Sequence, residues 1–382
     1  MRNLPIRFSM PSLVGNELDY VREAVEQGHI SSGGPFTDGV QKLLVDWFDA
    51  EDVILTTSCT DALELASLLL DFEPGDEVIV PSFTFVSTAL AFARAGASLV
   101  FGEIEERYLS LDPAHVAEQI TDRTRAIVTV HYAGIGGPVN RLTEMISDRV
   151  SLIEDNAHGL FGTLDGQKLG TFGRFSALSF HETKNFSCGE GGALIVNQAG
   201  DVDRARVLTD KGTNRKAFFA GEVDKYSWQD IGSSFGLSDL LAGYLLGQLE
   251  QRSQILTRRK HIFDSYISGL DHLVLERGIR LPEVPEGAVP AYHLFYILMP
   301  DPESRSRALK ELKSRGVNAT FHYVPLHTSA GAARFSARPP IELPVTDSVS
   351  QRLIRLPFHN ALTDEDVETV VKATSDVVIT ST

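Results

Sequence analysis

At 382 residues, 43% hydrophobic and 23% charged, the chain is long enough for a large α/β domain with a smaller companion, and its composition is that of an ordinary globular enzyme. Its 51 acidic side chains outnumber 35 basic ones, a net charge of −16, which excludes broad affinity for nucleic acid or an anionic membrane; an anionic ligand needs a local basic site. Cys59 and Cys188 stand in no metal-ligand spacing and no Cys-x-x-Cys pair, which argues against a disulfide framework; no metal is expected and both thiols are expected reduced.

The N-terminal MRNLPIRFSMPSLVG has no apolar leader core, and no segment approaches the roughly 18 unbroken apolar residues of a membrane span, which points to the cytoplasm. Helical patterning runs from Glu17 to Gly28, followed by a polar turn (Ser31, Ser32, Gly33, Gly34, Pro35) and a second helix over Thr37 to Phe48. From Val53 onward, β-branched runs alternate with amphipathic stretches: VILTT, a helix over Asp61 to Leu70, VIVPS, a helix over Val86 to Ala95, SLVFGEI and AIVTVHY. Such alternation predicts βαβ units around a mostly parallel, buried sheet. Further strands follow at Leu152 to Glu154, Ala177 to Phe180 and Ala193 to Val196, close enough for some antiparallel pairing.

One long helical region, Ser238 to Gly269, is read as a bridge between domains. Beyond it come a strand (His293 to Met299), a helix (Ser304 to Arg315), a strand (Ala319 to Tyr323) and a last helix from Asp364, with the final VVITST read as a frayed end. The expected division is a large domain over 1–255 and a small α+β domain over 256–382.

The chemistry concentrates in three segments. In VSLIEDNAH an apolar strand ends in Glu154 and Asp155, at the edge where parallel sheets collect ligands; a turn-capping role for Asp155 is equally open from this segment alone. In SALSFHETKNFSCGEGG a strand runs into a polar turn holding Lys184 and then returns through Gly189, Gly191 and Gly192. A lysine enclosed in this way, with a depressed pKa, is a nucleophile for carbonyl carbon. Pyridoxal 5'-phosphate (PLP) requires such a lysine, and a carboxylate such as Asp155 to keep its ring nitrogen protonated. TTSCTDALELASLLL sets hydroxyls at a helix start, where Thr60 and the backbone of Asp61 and Ala62 can receive a phosphate, with Ser179 adding a hydroxyl; Ser58 or Thr60 as a plain N-cap is the alternative.

These segments, with GNELDYVREAVEQG, PGDEVIVPSFTFVST, EDNAHG, CGEGG and FHYVPLH, resemble in order and spacing the DegT/DnrJ/EryC1/StrS sugar aminotransferases over nearly the whole chain. SFHETKN, KGTNR, VDKYSWQDIGSS and FHYVPLH are most similar to the branch that makes dTDP-4-amino-4,6-dideoxygalactose. The resemblance implies an aspartate-aminotransferase-like (fold type I) α/β/α large domain and a homodimer with active sites at its interface. It implies amino transfer from glutamate to C4 of a nucleotide-linked 4-keto-6-deoxyhexose. Carried over residue by residue, it makes Lys184 the Schiff-base lysine and proton shuttle and Asp155 the partner of the pyridinium nitrogen. Thr60, Asp61 and Ser179 would hold the phosphate, His158 would face the phenolic oxygen, and Phe85 would stack on the ring. Ser234 would reach the neighbouring subunit's phosphate, although relatives carry Asn in that segment. Asn156 also departs from the family, standing where relatives often have Ala. Lys211, Arg215, Lys216 and Lys225 form a local basic cluster for the nucleotide diphosphate, against the reading of a solvated loop. His322, Tyr323 and His327 are expected at the sugar, with Ser31, Ser32 and Gly33 as further substrate contacts. Lys184 speaks against a dehydratase of the same fold, in which histidine typically replaces it. A 3-aminotransferase and a non-catalytic PLP-binding regulator remain open.

Overall fold

The computed structural model describes residues 5–145, 147–219, 221–339 and 341–382. Its centre is a seven-stranded sheet in the order Asp52–Thr56, Gly192–Val196, Phe175–Ser179, Ser151–Asp155, Thr124–Val130, Glu77–Pro81, Ser98–Gly102. All pairings are parallel except those of Gly192–Val196, which runs antiparallel to both of its neighbours. The strands are continuous apolar runs because both faces are covered. Ile54, Val78 and Val80 point to one face, where Ala62, Leu63, Leu65, Ala66 and Leu69 of helix Cys59–Leu70 pack. Val53 and Leu55 point to the other, against Val40 and Leu44 of helix Pro35–Phe48 and Leu245 and Leu249 of helix Asp239–Glu250. The chain thus forms the expected three-layer α/β/α arrangement with a mostly parallel sheet.

A second core gathers Ile262, Phe263, Tyr266 and Leu270 with Phe295, Leu312, Ile354, Val370, Val377 and Val378. The N-terminal segment joins this core, with Ile6 bridging to Val317. No helix among the described residues is long and apolar enough to cross a membrane.

Three expected elements differ. The single helix over Ser238 to Gly269 is two helices, Asp239–Glu250 and Arg252–Leu270, which break at Gln251 (φ −94°, ψ 20°). The break has a packing reason: Leu245 and Leu249 serve the sheet's core, whereas Ile262 and Tyr266 serve the second core. Ala319 to Tyr323 is not a strand; only Thr320 bridges, to Arg355, and the residues after it turn to line a cavity. The C-terminal tail is not frayed, because helix Asp364–Ser381 runs through it and Val377 and Val378 are both 0% exposed.

Candidate active site

Register brings several strand ends to one edge of the sheet. Thr56 and Ser179 flank Gly192, Asp155 pairs with Ala177, and Val130 pairs with Asp155. A cavity of about 470 Å3 opens there, lined among others by Thr60, Phe85, Asp155, His158, Ser179, Lys184, His322 and Tyr323. Eight residues singled out from scattered segments of the sequence therefore face one space.

Lys184 is delivered by a tightly tied loop. The Phe180 amide donates to the Gly191 carbonyl (2.7 Å), the Glu182 amide to that of Gly189 (2.9 Å) and the Lys184 amide to that of His181 (2.9 Å). Burial pushes the Lys184 ammonium down to about 8; the Arg355 cation acts in the same direction, and Asp155 opposes it. Asp155 ends its strand with both carboxylate oxygens engaged, accepting from the Thr88 hydroxyl (2.6 Å) and the Ala157 amide (3.2 Å). Since Thr88 spends its proton on Asp155, its 2.7 Å contact with Thr84 is one in which Thr84 donates. Burial holds the Asp155 carboxyl above the usual range, and the Thr88 hydrogen bond pulls it back.

The acidic pair divides its work. Glu154 points away from the cavity and accepts from the amides of Gly170, Phe172 and Gly173 (2.7, 2.7 and 2.8 Å), with His131 Nε2 at 2.7 Å. Its task is to fix the turn that leads into strand Phe175–Ser179. Asn156, the departure from the family pattern, ties the same segment by donating to the Leu169 carbonyl at 2.7 Å.

The phosphate reading shifts by two positions. Ser58 is the N-cap of helix Cys59–Leu70, and its hydroxyl accepts from the Asp61 amide at 3.0 Å. The Ala62 amide bonds the Ser58 carbonyl (3.1 Å), and the Asp61 carboxylate takes the Thr57 hydroxyl. Asp61 and Ala62 therefore have no free amide to offer, and Asp61 does not line the cavity. The open donors are the first two amides of the helix, those of Cys59 and Thr60, which have no carbonyl one turn back. Thr60 and Ser87 share a hydroxyl contact at 2.7 Å, and Ser179 adds a third hydroxyl to the cavity lining. Helix start and hydroxyls together form an anion cradle. Gly192 permits it: a Cβ there would stand 2.3 Å from the Ser58 carbonyl carbon.

The opposite wall is aromatic and cationic. His158 stacks on His293 (centroids 4.1 Å, 21°), and burial holds both imidazoles far below their ordinary range, hence neutral. His293 is fixed by Asn185 (2.9 Å), the neighbour of Lys184, while His158 Nδ1 is buried without a partner among the described residues. His322 stacks on Tyr323 (3.8 Å, 14°), contacts the Tyr132 hydroxyl through Nδ1 (3.1 Å) and meets Arg355 through Nε2. With both ring nitrogens engaged, His322 offers no free nitrogen to a sugar; Tyr323 lines the cavity beside it. Phe85 is 61% exposed at the rim, so it is not a core aromatic.

His327 does not reach the cavity. It is buried, with Nδ1 at 2.7 Å from the Ser82 hydroxyl, and it accordingly anchors its loop. Lys211, Arg215, Lys225 and Ser234 also stand outside the lining. Lys211 pairs with Asp210 (2.9 Å), Arg215 lies over the Phe219 ring (5.3 Å), and Lys225 and Ser234 are exposed; the Lys216 side chain is outside the described residues. Ser31, Ser32 and Gly33 are exposed and do not line the cavity either. The sequence reading missed Arg355, Thr88, Ser87, Cys59, His293 and Tyr132. Thr88 and Ser87 lie in TFVST, next to Phe85, where the hydroxyls were a usable signal; Arg355 comes from a distant strand and had none.

The arrangement fits a phosphate-bearing carbonyl cofactor. A buried amine with a depressed pKa, a buried carboxylate and an anion cradle share one cavity, and a buried imidazole nitrogen lacks a partner. Comparison with known proteins points the same way. The spore coat polysaccharide biosynthesis protein SpsC of Bacillus subtilis (strain 168) is 29% identical over 99% of this chain and 98% of its own length. The solved aminotransferase TlmJ from Streptoalloteichus hindustanus is 30% identical with a TM-score of 0.89, covering 99% of this chain and 100% of that one. Spr1654 from Streptococcus pneumoniae, assigned as a sugar aminotransferase and solved in its PMP form, is 26% identical with a TM-score of 0.91 over 99% of this chain and 100% of that one. The model of the DegT/DnrJ/EryC1/StrS aminotransferase family matches residues 11–375. With site, fold and sequence in agreement, the chain belongs to the DegT/DnrJ/EryC1/StrS aminotransferase family.

Proposed function

We propose that the protein transfers an amino group from glutamate to C4 of a nucleotide-linked 4-keto-6-deoxyhexose, with PLP as cofactor and dTDP-4-keto-6-deoxy-D-glucose as substrate. The observation that carries the amino-transfer reading is the meeting of Lys184 and Asp155 in one cavity beside an anion cradle. Family membership supports the sugar, and the C4 position rests on the similarity of SFHETKN, KGTNR and FHYVPLH to one branch.

When bound, PLP supplies a ring that accepts the electron pair left behind as a proton departs the donor carbon. The protein's own groups do the rest. Lys184 Nζ would hold the cofactor and, once released, would move the proton away from the donor carbon. In the second half it returns a proton to C4 of the sugar. Asp155 would keep a proton on the ring nitrogen, an assignment supported by its burial and by Thr88, which orients the carboxylate. The Cys59 and Thr60 amides, with the hydroxyls of Thr60 and Ser179, would receive the phosphate. Neutral His158 would face the phenolic oxygen, and Phe85 would cover the ring.

The same reading assigns a second copy of the chain to the surface around Phe219, Trp228 and Ile231, apolar side chains exposed by 70, 81 and 59%. Ser234 and the cluster of Lys211, Arg215 and Lys225 lie in or beside that segment, which would carry them toward the partner's cavity.

Incubation with glutamate and dTDP-4-keto-6-deoxy-D-glucose, followed by NMR of the product, tests the proposal. It predicts a dTDP-4-amino-4,6-dideoxyhexose, whose coupling constants at C4 assign the epimer. Release of 2-oxoglutarate without any aminated sugar would overturn the choice of acceptor, and absence of both would overturn amino transfer.

A further inference from the structure

Two arginines approach the cavity without a carboxylate partner among the described residues, and they differ in how they are satisfied. Arg259 donates to the carbonyls of Tyr292 (2.7 Å) and His293 (2.6 Å) and to Asn360 (3.3 Å), so protein oxygens surround it. Arg355 lines the cavity with less support. One of its terminal nitrogens meets His322 Nε2, its guanidinium carbon lies over the Phe8 ring (4.7 Å), and its Nε is buried with no partner among the described residues. A desolvated cation left unpaired is costly, and a guanidinium is built to hold a planar carboxylate with two parallel bonds.

The contact with His322 fixes a tautomer. A guanidinium can only donate, so Nε2 accepts and the ring proton resides on Nδ1, which donates to the Tyr132 oxygen at 3.1 Å. Burial and the adjacent guanidinium both oppose a second proton on this ring. His322 is thus a neutral acceptor aimed at a cation.

The amino-transfer reading, on which this step rests, imposes a conflict on the site. An amino acid donor carries a carboxylate on the very carbon that reacts, so that anion must sit beside Lys184. The keto sugar brings no charge to its reacting carbon, and its phosphates are attached at the far side of the ring. One guanidinium must therefore face an anion in the first half-reaction and a neutral ring in the second.

We propose that Arg355 clamps the carboxylate of the amino donor, and that His322, with its proton on Nδ1, is the internal acceptor that engages the guanidinium while the neutral sugar is in place. Arg355 is then a binding residue and His322 a positioning residue that lets one cavity serve two unlike substrates.

The test uses the holoenzyme, with glutarate as an unreactive dicarboxylate in calorimetry and the two half-reactions followed separately by cofactor absorbance. Arg355→Gln removes the charge-assisted bonds, so glutarate affinity and the donor half-reaction are expected to weaken together by roughly 10- to 150-fold. The loss in the sugar half-reaction should be at least tenfold smaller. His322→Phe retains the stack on Tyr323 but removes the acceptor; it should leave glutarate affinity within about threefold and raise the KM of the sugar half-reaction by roughly tenfold. Arg355→Lys, checked for folding by circular dichroism, keeps the charge without the fork and should fall between wild type and Arg355→Gln. Glutarate binding unchanged in a folded Arg355 variant overturns the clamp, and a loss confined to the sugar half-reaction reassigns Arg355 to the nucleotide. Equal loss in both half-reactions for His322→Phe overturns the positioning role. Glutarate binding is read without any sugar, so failure of the sugar assignment leaves this outcome distinct.

Discussion

Gly192→Ala puts the architecture of the cradle to a numerical test. Gly192 lies between Thr56 and Ser179 in the sheet, and its added Cβ would stand 2.3, 2.4 and 2.5 Å from the Ser58 carbonyl carbon, its oxygen and the Cys59 nitrogen. These are backbone atoms of the turn that presents the open amides, so no flexible side chain can yield. Restoring an ordinary contact moves the turn by about 1 Å, an overpacking that costs about 1–3 kcal/mol. The same movement takes the Cys59 and Thr60 amides off a bound phosphate. Loss of one charge-assisted bond is worth about 1.5–3 kcal/mol, or about 10- to 150-fold in PLP affinity. Fluorescence titration of the cofactor-free protein with PLP and urea denaturation measure the two quantities. Gly200→Ala, where a Cβ meets nothing within 4 Å, is the control and should change affinity by less than about twofold. Unchanged PLP affinity in Gly192→Ala would refute the placement of the phosphate at this helix start.

Further outcomes follow from the same geometry. The rate at which the cofactor-free protein captures PLP covalently should climb with pH and level off near the Lys184 value of about 8, since the neutral amine is the nucleophile; a climb continuing to pH 10 would contradict a depressed amine. The depressed base also makes a statement about stability: below pH 8 the folded state carries a penalised ammonium, and the penalty fades between about 8 and the ordinary 10.5 as the folded state loses its proton first. Lys184→Met should therefore raise the Tm of the cofactor-free protein at pH 7 and lose that advantage toward pH 10.5. Deleting residues 376–382 removes the fully buried Val377 and Val378 and should destabilise the second core by about 3–6 kcal/mol in denaturant titration; a loss under about 1 kcal/mol would restore the frayed-end reading.

What could be read from the sequence depended on how local the cause was. Asp155, Ser179 and Thr60 sit at strand or helix ends, Lys184 lies in the loop that follows one of those strands, and strand direction alone sends such ends to one edge, so their convergence was legible. The open amides of this helix start lie two residues before the expected pair because the choice between Ser58 and Thr60 as N-cap is made by side-chain geometry: once Ser58 takes the Asp61 amide, the open donors are those of Cys59 and Thr60. The break at Gln251 carries no proline or glycine to announce it and follows from two cores competing for one helical stretch. Arg355 was invisible for a related reason. In RLIRLPFHN it reads as an arginine on a short strand, and only the fold brings it to His322 from the segment before Tyr323. His327 shows the converse error: its position in FHYVPLH suggested a ligand, yet Ser82 turns the ring into the protein.

Cofactor attachment at the Lys184 amine is the step on which the proposed reaction depends. Reduction of the PLP-loaded protein with borohydride, followed by proteolysis and mass spectrometry, locates that attachment directly. A pyridoxyl group is expected on the peptide containing Lys184 and none in Lys184→Ala; the label on any other lysine, or a Lys184→Ala protein still labelled, would rule out attachment at Lys184.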